Sequence, residues 1–168
     1  MRPHAFTLVE SVLAITLTMI LSAAALAGLR GVQSWRAAAA VRRIQADVLY
    51  ARQAAVLSGR RTLCVFDLAK MTYELQQESS PRSGSFVATV IDHPLTSEPW
   101  RVALGDLSSG LGVSFAPILN PSAFGFDAAG MPVTSAGSVL GSDLVMTFTN
   151  RATLTLRAGS GLSEVTWP

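Results

Sequence analysis

The sequence FTLVESVLAITLTMILSAAALAGL occupies residues 6–29 and contains one charged side chain, the carboxylate of Glu10. The 19 residues that follow it would span about 28 Å as an α-helix, which is close to the thickness of the hydrocarbon core of a bilayer. An ionised side chain at the centre of a bilayer costs roughly 2.5–3.5 kcal/mol. Glu10 lies near one end of the segment, so its cost is lower, but its presence still needs a functional reason.

Neither a secretory signal peptide nor a simple membrane anchor fully explains residues 6–29. A secretory signal peptide has an apolar core of roughly 7–15 residues, followed by a cleavage site of small residues. The apolar run here is longer than that, although Ala23-Ala24-Ala25 and Ala27-Gly28 resemble a late cleavage site and leave this interpretation open. A simple membrane anchor explains the length of the segment but not the presence of Glu10.

The N-terminus combines a short leader, Met1-Arg2-Pro3-His4-Ala5, with the sequence Phe6-Thr7-Leu8-Val9-Glu10. This combination resembles the N-terminal signature of type IV pilins and of type II secretion pseudopilins. In that family the prepilin peptidase removes the leader on the cytoplasmic side and methylates the new N-terminus. The resemblance therefore implies cleavage between Ala5 and Phe6 and N-methylation of Phe6. The family usually has Gly before the cut, whereas this chain has Ala5, which is also small.

The resemblance also implies a role for Glu10 in subunit assembly. In the family, the carboxylate at this position is thought to pair with the N-terminal ammonium of a neighbouring subunit, which here is the ammonium of Phe6. A buried charge that loses its partner is strongly destabilising, whereas a paired charge is tolerated. Such a pair would stabilise the correct axial stagger between subunits, and a slipped stagger would leave both charges unpaired and destabilise the assembly.

The helical pattern continues beyond the apolar segment and ends at Ser58. No proline interrupts the chain between the leader and Pro81. Apolar side chains recur at helical spacing in the second half of this stretch, at Val41, Ile44, Val48, Ala51 and Ala55. Gly59 suits the left-handed position that follows the last turn of a helix. The pattern predicts one long helix, with a transmembrane or filament-core half at 6–29 and an amphipathic half at 30–58.

Charge divides the chain into a basic helix and a slightly acidic remainder. Residues 30–58 carry five arginines against one acidic residue, Asp47, for a net charge of +4. Residues 59–168 carry seven basic and nine acidic side chains, for a net charge of −2. The helix arginines either solvate an exposed helix face or meet acidic faces of neighbouring subunits. The sequence leaves both interpretations open.

Residues 59–168 have the pattern of a β-rich globular domain. The clearest predicted hairpins pair Thr62–Phe66 with Met71–Leu75, and Leu144–Thr149 with Ala152–Leu156. Further short strands are predicted within 85–91, 100–104 and 112–115. Clusters of Ser, Pro and Gly separate these segments. About 110 residues of this kind bury one modest core, so we expect two small antiparallel sheets with the second half of the helix packed on them.

Two further stretches resemble the GspH/FimT-type minor pseudopilins within this family. Residues 51–64, with the sequence ARQAAVLSGRRTLC, resemble the junction between the long helix and the first strand. Phe126-Asp127-Ala128-Ala129-Gly130 resembles the Phe-x-x-x-Gly turn found later in the domain. Together with the N-terminal signature, the resemblance covers the chain from end to end. It implies a pilin-like α+β fold, with a long N-terminal helix packed on a small antiparallel β-domain.

Catalytic and metal-binding patterns find little support in the sequence. Cys64, Asp92 and His93 are residue types found in nucleophilic sites, but Cys64 lies in an apolar strand segment, where a buried cysteine behaves as a small hydrophobe. His93 precedes Pro94 and is expected in a loop. The sequence has no zinc-ligand spacing and no phosphate-binding glycine pattern, and its single cysteine permits no internal disulfide. We expect no enzymatic activity, no cofactor and no metal site.

Three functions fit these features. The first is a minor pseudopilin of a type II secretion system, which assembles with other pseudopilins into a periplasmic pseudopilus that supports protein export. The second is a minor type IV pilin that acts in pilus assembly, adhesion or DNA uptake. The third is a membrane-anchored β-domain that never enters a filament.

For the first two functions, the resemblance implies a single-pass protein of the bacterial inner membrane. Its N-terminus would be cytoplasmic and residues 59–168 periplasmic, before the subunit enters a pilus or pseudopilus. Its partners would be the prepilin peptidase and other pilins. Nucleic acid is a less expected partner, because the domain has a net charge of −2, although Arg151 and Arg157 on the last predicted hairpin offer a local basic patch.

Overall fold

The structure is a computed structural model of the 168-residue chain. It describes residues 8–80, 87–108, 110–119, 122–149 and 151–168, without the side chains of 25–34. The predicted leader and Phe6 lie outside the described residues. The chain divides into two units, of which the first ends at Trp35 and the second runs from Arg36 to Pro168.

A long helix, α1, runs from Leu8 to Ser58. The predicted end of this helix is confirmed, because Gly59 follows it with a φ of +64°, a left-handed backbone that glycine adopts without steric cost. The hydroxyl of Ser58 donates a hydrogen bond to the carbonyl oxygen of Ala54 at 2.6 Å. The same hydroxyl oxygen accepts a bond from the backbone N–H of Arg60 at 3.3 Å. Ser58 therefore links the last turn of the helix to the chain that leaves it.

In the first unit, α1 exposes apolar side chains around its circumference. Met19, Ile20 and Leu21 are consecutive, so they point in three directions, and each is more than 60% exposed. The hydroxyl groups of Thr16, Thr18 and Ser22 bond to carbonyl oxygens of the helix itself, as when Thr16 Oγ1 donates to the carbonyl oxygen of Leu13 at 2.9 Å. Such bonds satisfy a hydroxyl group without water. Judged over the described residues, none of the helices combines the length and the apolarity needed to cross a membrane.

The part of the second unit that follows α1 consists mainly of β-strands. Within the described residues the strands are β1 (Thr62–Asp67), β2 (Thr72–Glu78), β3 (Ala88–Val90), β4 (Arg101–Ala103), β5 (Val113–Ala116), β6 (Ala123–Phe126), β7 (Pro132–Thr134), β8 (Leu144–Phe148), β9 (Thr153–Leu156) and β10 (Ser163–Thr166). A short helix, α2, lies at Leu104–Leu107.

These strands form two antiparallel sheets, as the sequence predicts. The first has the order β3-β2-β1-β6-β7, and β4 also pairs with β2. The second has the order β10-β9-β8-β5. The two predicted hairpins are confirmed, because β1 pairs with β2 and β8 pairs with β9. The predicted segments 85–91 and 100–104 contain β3 and β4, and the segment 112–115 overlaps β5, which extends one residue further. Residues 85 and 86 lie outside the described residues.

The sequence pattern does not predict β6, β7, β10 or α2. All four residues of β6 are buried, so this strand lacks the alternation of apolar and polar residues by which strands are recognised. β7 has three residues and β10 has four. Segments this short carry too few residues to establish a period. The structure thus adds a central strand, β6, next to β1 in the first sheet.

One face of α1 in the second unit packs against both sheets. This face consists of Ala40, Val41, Ile44, Val48, Ala51 and Ala55, each at most 2% exposed. It shares a core with Phe66, Tyr73, Leu75 and Phe124 of the first sheet and with Leu144, Met146, Leu154 and Leu156 of the second. Burial of this much apolar surface holds the helix on the domain. The predicted packing of the second half of the helix on a β-domain is confirmed.

Candidate assembly site

Glu10, the predicted assembly residue, lies in the first turn of α1 with its side chain exposed. A carboxylate near the N-terminus of a helix interacts favourably with the helix dipole, by roughly 0.3–1 kcal/mol. Ala5 and Phe6, the predicted cleavage and methylation residues, precede the described part of the chain. Pairing between Glu10 and the amine of Phe6 therefore stays a prediction.

The side chains next to Glu10 are apolar and exposed. Leu8 is 81% exposed, Val9 71% and Leu13 57%. Removal of apolar surface from water contributes about 25 cal/mol per Å², so any apolar surface that covers this helix stabilises it. A carboxylate in such a covered position requires a cationic partner or hydrogen-bond donors. This end of the chain therefore suits an apolar environment in which the carboxylate of Glu10 is ion-paired or hydrogen-bonded.

A second acidic residue of α1, Asp47, is only 3% exposed and is bonded on both carboxylate oxygens. Arg43 Nε donates to Oδ1 at 2.9 Å. Oδ2 accepts from Trp100 Nε1 at 3.2 Å and from the hydroxyl of Tyr73. Burial, reinforced by the charge of Asp47, raises the pKa of the Tyr73 hydroxyl, which therefore remains a donor. These bonds replace the hydrogen bonds to water that the carboxylate loses on burial. The bonds from Tyr73 and Trp100 also attach the helix to the domain.

The sequence analysis counts Asp47 only as a charge and does not assign it this structural role. The one signal in the sequence is that it is the single acidic residue among the arginines of residues 30–58. Its partners Tyr73 and Trp100 lie 26 and 53 residues further along the chain. Only the folded chain brings them together.

The loop between β3 and β4 is attached to α1 next to Asp47. Arg43 Nη2 lies 3.3 Å from Nε2 of His93, and the rings of His93 and Trp100 have their centroids 4.4 Å apart. Nδ1 of His93 accepts a hydrogen bond from the backbone N–H of Leu95 at 3.2 Å. His93 thus lies in a loop, as predicted, and fixes that loop against the helix.

The two stretches that resemble GspH/FimT-type proteins meet at Arg52. Its Nε donates a hydrogen bond to the carbonyl oxygen of Gly130 at 3.1 Å. Gly130 has a φ of +77°, and a β-carbon there would lie 3.0 Å from Cγ2 of Val56. Phe126, which begins the turn, is completely buried. The Phe-x-x-x-Gly turn is therefore the connection between β6 and β7, and it packs directly on the helix.

The residues of a conceivable nucleophilic set occupy structural positions. Cys64 lies in β1 and is 1% exposed. Burial, with a smaller contribution from the charge of Asp47, raises the pKa of its thiol, so it remains protonated and unreactive. His93 is engaged by Arg43, Leu95 and Trp100. Within the described ranges, no three His, Cys, Asp or Glu side chains are placed to hold a metal ion.

An open cleft of about 640 Å³ lies on the first sheet beside β2 and β4. Five charged side chains line it, and four of them form ion pairs with one another. Lys70 Nζ lies 3.2 Å from Asp67 Oδ2, and Arg101 Nε lies 2.9 Å from Glu74 Oε2. Small-molecule sites are usually enclosed and mainly apolar. This cleft has neither property, so its geometry does not indicate a ligand site.

The chain matches no protein-family model and no curated protein in sequence. Its structure is similar to the minor pseudopilin EpsH from the type 2 secretion system of Vibrio cholerae, in two structures that both have a TM-score of 0.56 and 11% identity. The similarity covers 79% and 82% of this chain, and 96% of the EpsH chain in both cases.

A further similar structure is the type IV minor pilin FimU from Pseudomonas aeruginosa. The TM-score is 0.53 at 15% identity, with 82% of this chain and 90% of FimU covered. At these identities the likeness concerns the fold. In all three comparisons nearly the whole of the other chain is included. This chain therefore has the pilin-like fold of the minor pseudopilin EpsH and the minor type IV pilin FimU.

Proposed function

We propose that the chain is a pilin-type filament subunit, and specifically a minor pseudopilin of a type II secretion system. The observation that carries the proposal is Glu10 in the first turn of an exposed apolar helix, on a chain with the fold of EpsH. The exposed apolar side chains of this helix favour a surface that covers them. A bundle of similar helices would cover them, and the N-terminal amine of each helix would place a cation near the carboxylate of Glu10.

In this proposal the chain has two successive environments. The prepilin peptidase removes residues 1–5 and methylates Phe6, while the segment 6–29 holds the protein in the inner membrane and residues 59–168 lie in the periplasm. During assembly the helix moves among the helices of other pilins, and Glu10 pairs with the amine of Phe6 on a neighbour. The proposed role of the chain is structural, since Cys64 is buried in the core and His93 packs against Trp100.

A minor type IV pilin is the second candidate, and the likeness to FimU supports it. The DNA-uptake form of this function has weaker support. Arg157 bonds to Asp143 at 2.8 Å and lies 3.5 Å from Glu164, so two carboxylates offset its charge. Arg151 is then the main source of positive charge at the hairpin of β8 and β9.

The two steps of the proposal are tested separately. Mass spectrometry of the protein from its own host is expected to show a chain that begins at a methylated Phe6. A chain that retains Met1 would rule out the pilin pathway. Deletion of the gene is then expected to abolish export of type II secretion substrates and to leave surface pili intact. Loss of pili with normal export would instead support the type IV pilin.

A further inference from the structure

The face of α1 that points away from the sheets carries a regular seam of exposed residues. The seam consists of Ala39, Arg42, Ala46, Leu49, Gln53 and Val56. Their spacing alternates between three and four residues, which is the heptad spacing by which one α-helix packs along another. Leu49 and Val56 are 36% and 50% exposed, and the small side chains of Ala39 and Ala46 permit a close approach. The seam thus has the pattern of a second packing face, opposite the face buried on the sheets.

The domain contacts α1 on both sides of the seam, and these contacts bound the surface that a partner can reach. On one side, Arg43 reaches His93 in the loop between β3 and β4. On the other side, Gln45 Nε2 donates to the carbonyl oxygen of Ser163 at 3.3 Å, and Arg52 bonds to Gly130. Between these contacts the seam residues are exposed, with Trp167 near Arg42 and Gly130 next to Val56. A single helix fits exposed residues at this spacing.

The charges on this surface are basic and lack acidic partners. Arg36 and Arg42 are exposed, and across the described residues no carboxylate lies within 4 Å of either guanidinium. The guanidinium of Arg42 instead lies 5.9 Å from the ring centroid of Trp167. The only acidic residue of 30–58, Asp47, is buried and bonded. Arg36 and Arg42 therefore place positive charge at the N-terminal end of the seam, and the apolar side chains of Leu49 and Val56 follow further along the helix.

We infer that the seam binds an α-helix with acidic flanks on a non-identical pilin-type subunit. An apolar stripe on that helix would cover Leu49 and Val56, and its carboxylates would face Arg36 and Arg42. A second copy of this chain is disfavoured, because its seam carries the same positive charge and the only acidic residue of 30–58, Asp47, is buried. The inference rests on the proposed function, since it takes the neighbours to be pilin helices, and it specifies the partner as a different and acidic subunit.

The test uses the purified full-length chain in a non-ionic detergent and two designed helical peptides. Each peptide has about four heptads with Leu and Ala on one stripe; the first carries Glu on both flanks and the second carries Lys. We expect the acidic peptide to bind at least about tenfold more tightly than the basic one by fluorescence anisotropy at low ionic strength. The preference should shrink as salt screens the charges.

Matched variants separate the seam from the rest of the surface. Combined Arg36→Glu and Arg42→Glu changes are expected to reverse the preference between the peptides, whereas Arg151→Glu, at an exposed arginine of the β-domain, leaves it unchanged. Leu49→Asp is expected to abolish binding. Leu162→Asp is its control, because Leu162 is 57% exposed and lies outside the seam. Circular dichroism checks that each variant is folded.

Three results would overturn the inference. They are equal binding of the two peptides, binding of neither, and a disulfide-linked homodimer formed in high yield through Leu49→Cys. None of these results bears on the processing of the N-terminus. A correctly cleaved chain that fails the peptide test would therefore refute the acidic-partner inference and leave the proposed function standing.

Discussion

At the scale of single residues, Asp47 sets the attachment of the helix to the domain. Its carboxylate accepts bonds from Arg43 on its own helix, from Tyr73 on β2 and from Trp100 just before β4. Hydrogen bonds to charged groups contribute about 1.5–3 kcal/mol each, and an unsatisfied buried group costs a similar amount. The side chain of Arg43 is 45% exposed, so it can return to water if the carboxylate is removed. Tyr73 and Trp100 are 2% and 5% exposed and would lose their acceptor.

We predict that Asp47→Ala lowers the free energy of unfolding by about 3 kcal/mol, because two buried donors lose their acceptor. Tyr73→Phe should cost about 1.5 kcal/mol, because it removes a single bond to a charged group. Urea denaturation of the full chain in detergent, followed by near-ultraviolet circular dichroism, measures both.

The matched control for Asp47 is Asp106→Ala. Asp106 is exposed and makes no hydrogen bond or ion pair within the described ranges, so its removal should change the free energy of unfolding by less than about 0.5 kcal/mol. Equal effects of Asp47→Ala and Asp106→Ala would mean that the bonds of Asp47 do not hold the helix on the domain.

Some residue-scale features follow from the sequence and others require the fold. Gly59 is predictable because the stop of a helix is a local event, decided by the backbone conformation of one residue. Glu10 stands out because a charge in a long apolar run is costly. The role of Asp47 is not predictable, since the sequence shows an acidic residue among arginines and an i,i+4 partner, Arg43, but not the two distant donors.

At the scale of elements, the confirmed strands have a local signal in the sequence, whereas the strands that were not predicted depend on the folded sheet. β1 and β2 alternate partly and are separated by a short turn, so their pairing is a local signal. β6 is continuously buried between β1 and β7, and that burial is a consequence of the sheet rather than of its own pattern. The Phe-x-x-x-Gly turn between β6 and β7 is visible in the sequence, whereas its contact with Arg52 is not.

The link between β8 and β9 is an element-scale feature that depends on pH. Asp143 Oδ1 accepts from the backbone N–H of Ala158 at 2.9 Å, and Oδ2 accepts from Arg157 Nη1 at 2.8 Å. The bond from Ala158, followed by the bond from Arg157, lowers the pKa of Asp143. A lowered pKa means that this carboxylate stabilises the fold fully above its unfolded value of about 4, and that the contribution is lost as the pH falls through the lowered folded-state pKa.

We predict that Asp143→Asn lowers the urea midpoint near pH 6 and reduces the further loss seen as the pH falls below the unfolded-state pKa of about 4. Asp67 also has a lowered pKa, chiefly through the backbone bond from Lys70, so the wild-type loss in acid includes more than one carboxylate. The difference between wild type and Asp143→Asn isolates Asp143. Asp106→Asn is the control for removal of an exposed carboxylate. Identical pH profiles for wild type and Asp143→Asn would refute this assignment.

At the scale of the whole molecule, α1 carries two kinds of surface along one continuous helix. In the first unit of the chain, the apolar side chains of α1 are exposed around the helix. In the second unit, one face of α1 is buried on the sheets and the opposite face carries the exposed seam. The helix therefore has apolar surface that its own domain does not cover. Assembly with other helices would cover both.

The central claim is that Glu10 pairs with a cationic N-terminus during filament assembly, and recovery of variants with isolated filaments tests it most directly. We predict that Glu10→Ala and Glu10→Gln reach the membrane fraction at wild-type levels, but that their recovery in the filament fraction falls by about tenfold or more, because each leaves the amine of Phe6 without its partner. Glu10→Asp, which keeps the charge, should retain most of the incorporation. Recovery of Glu10→Ala with the filaments at the wild-type level would contradict the claim.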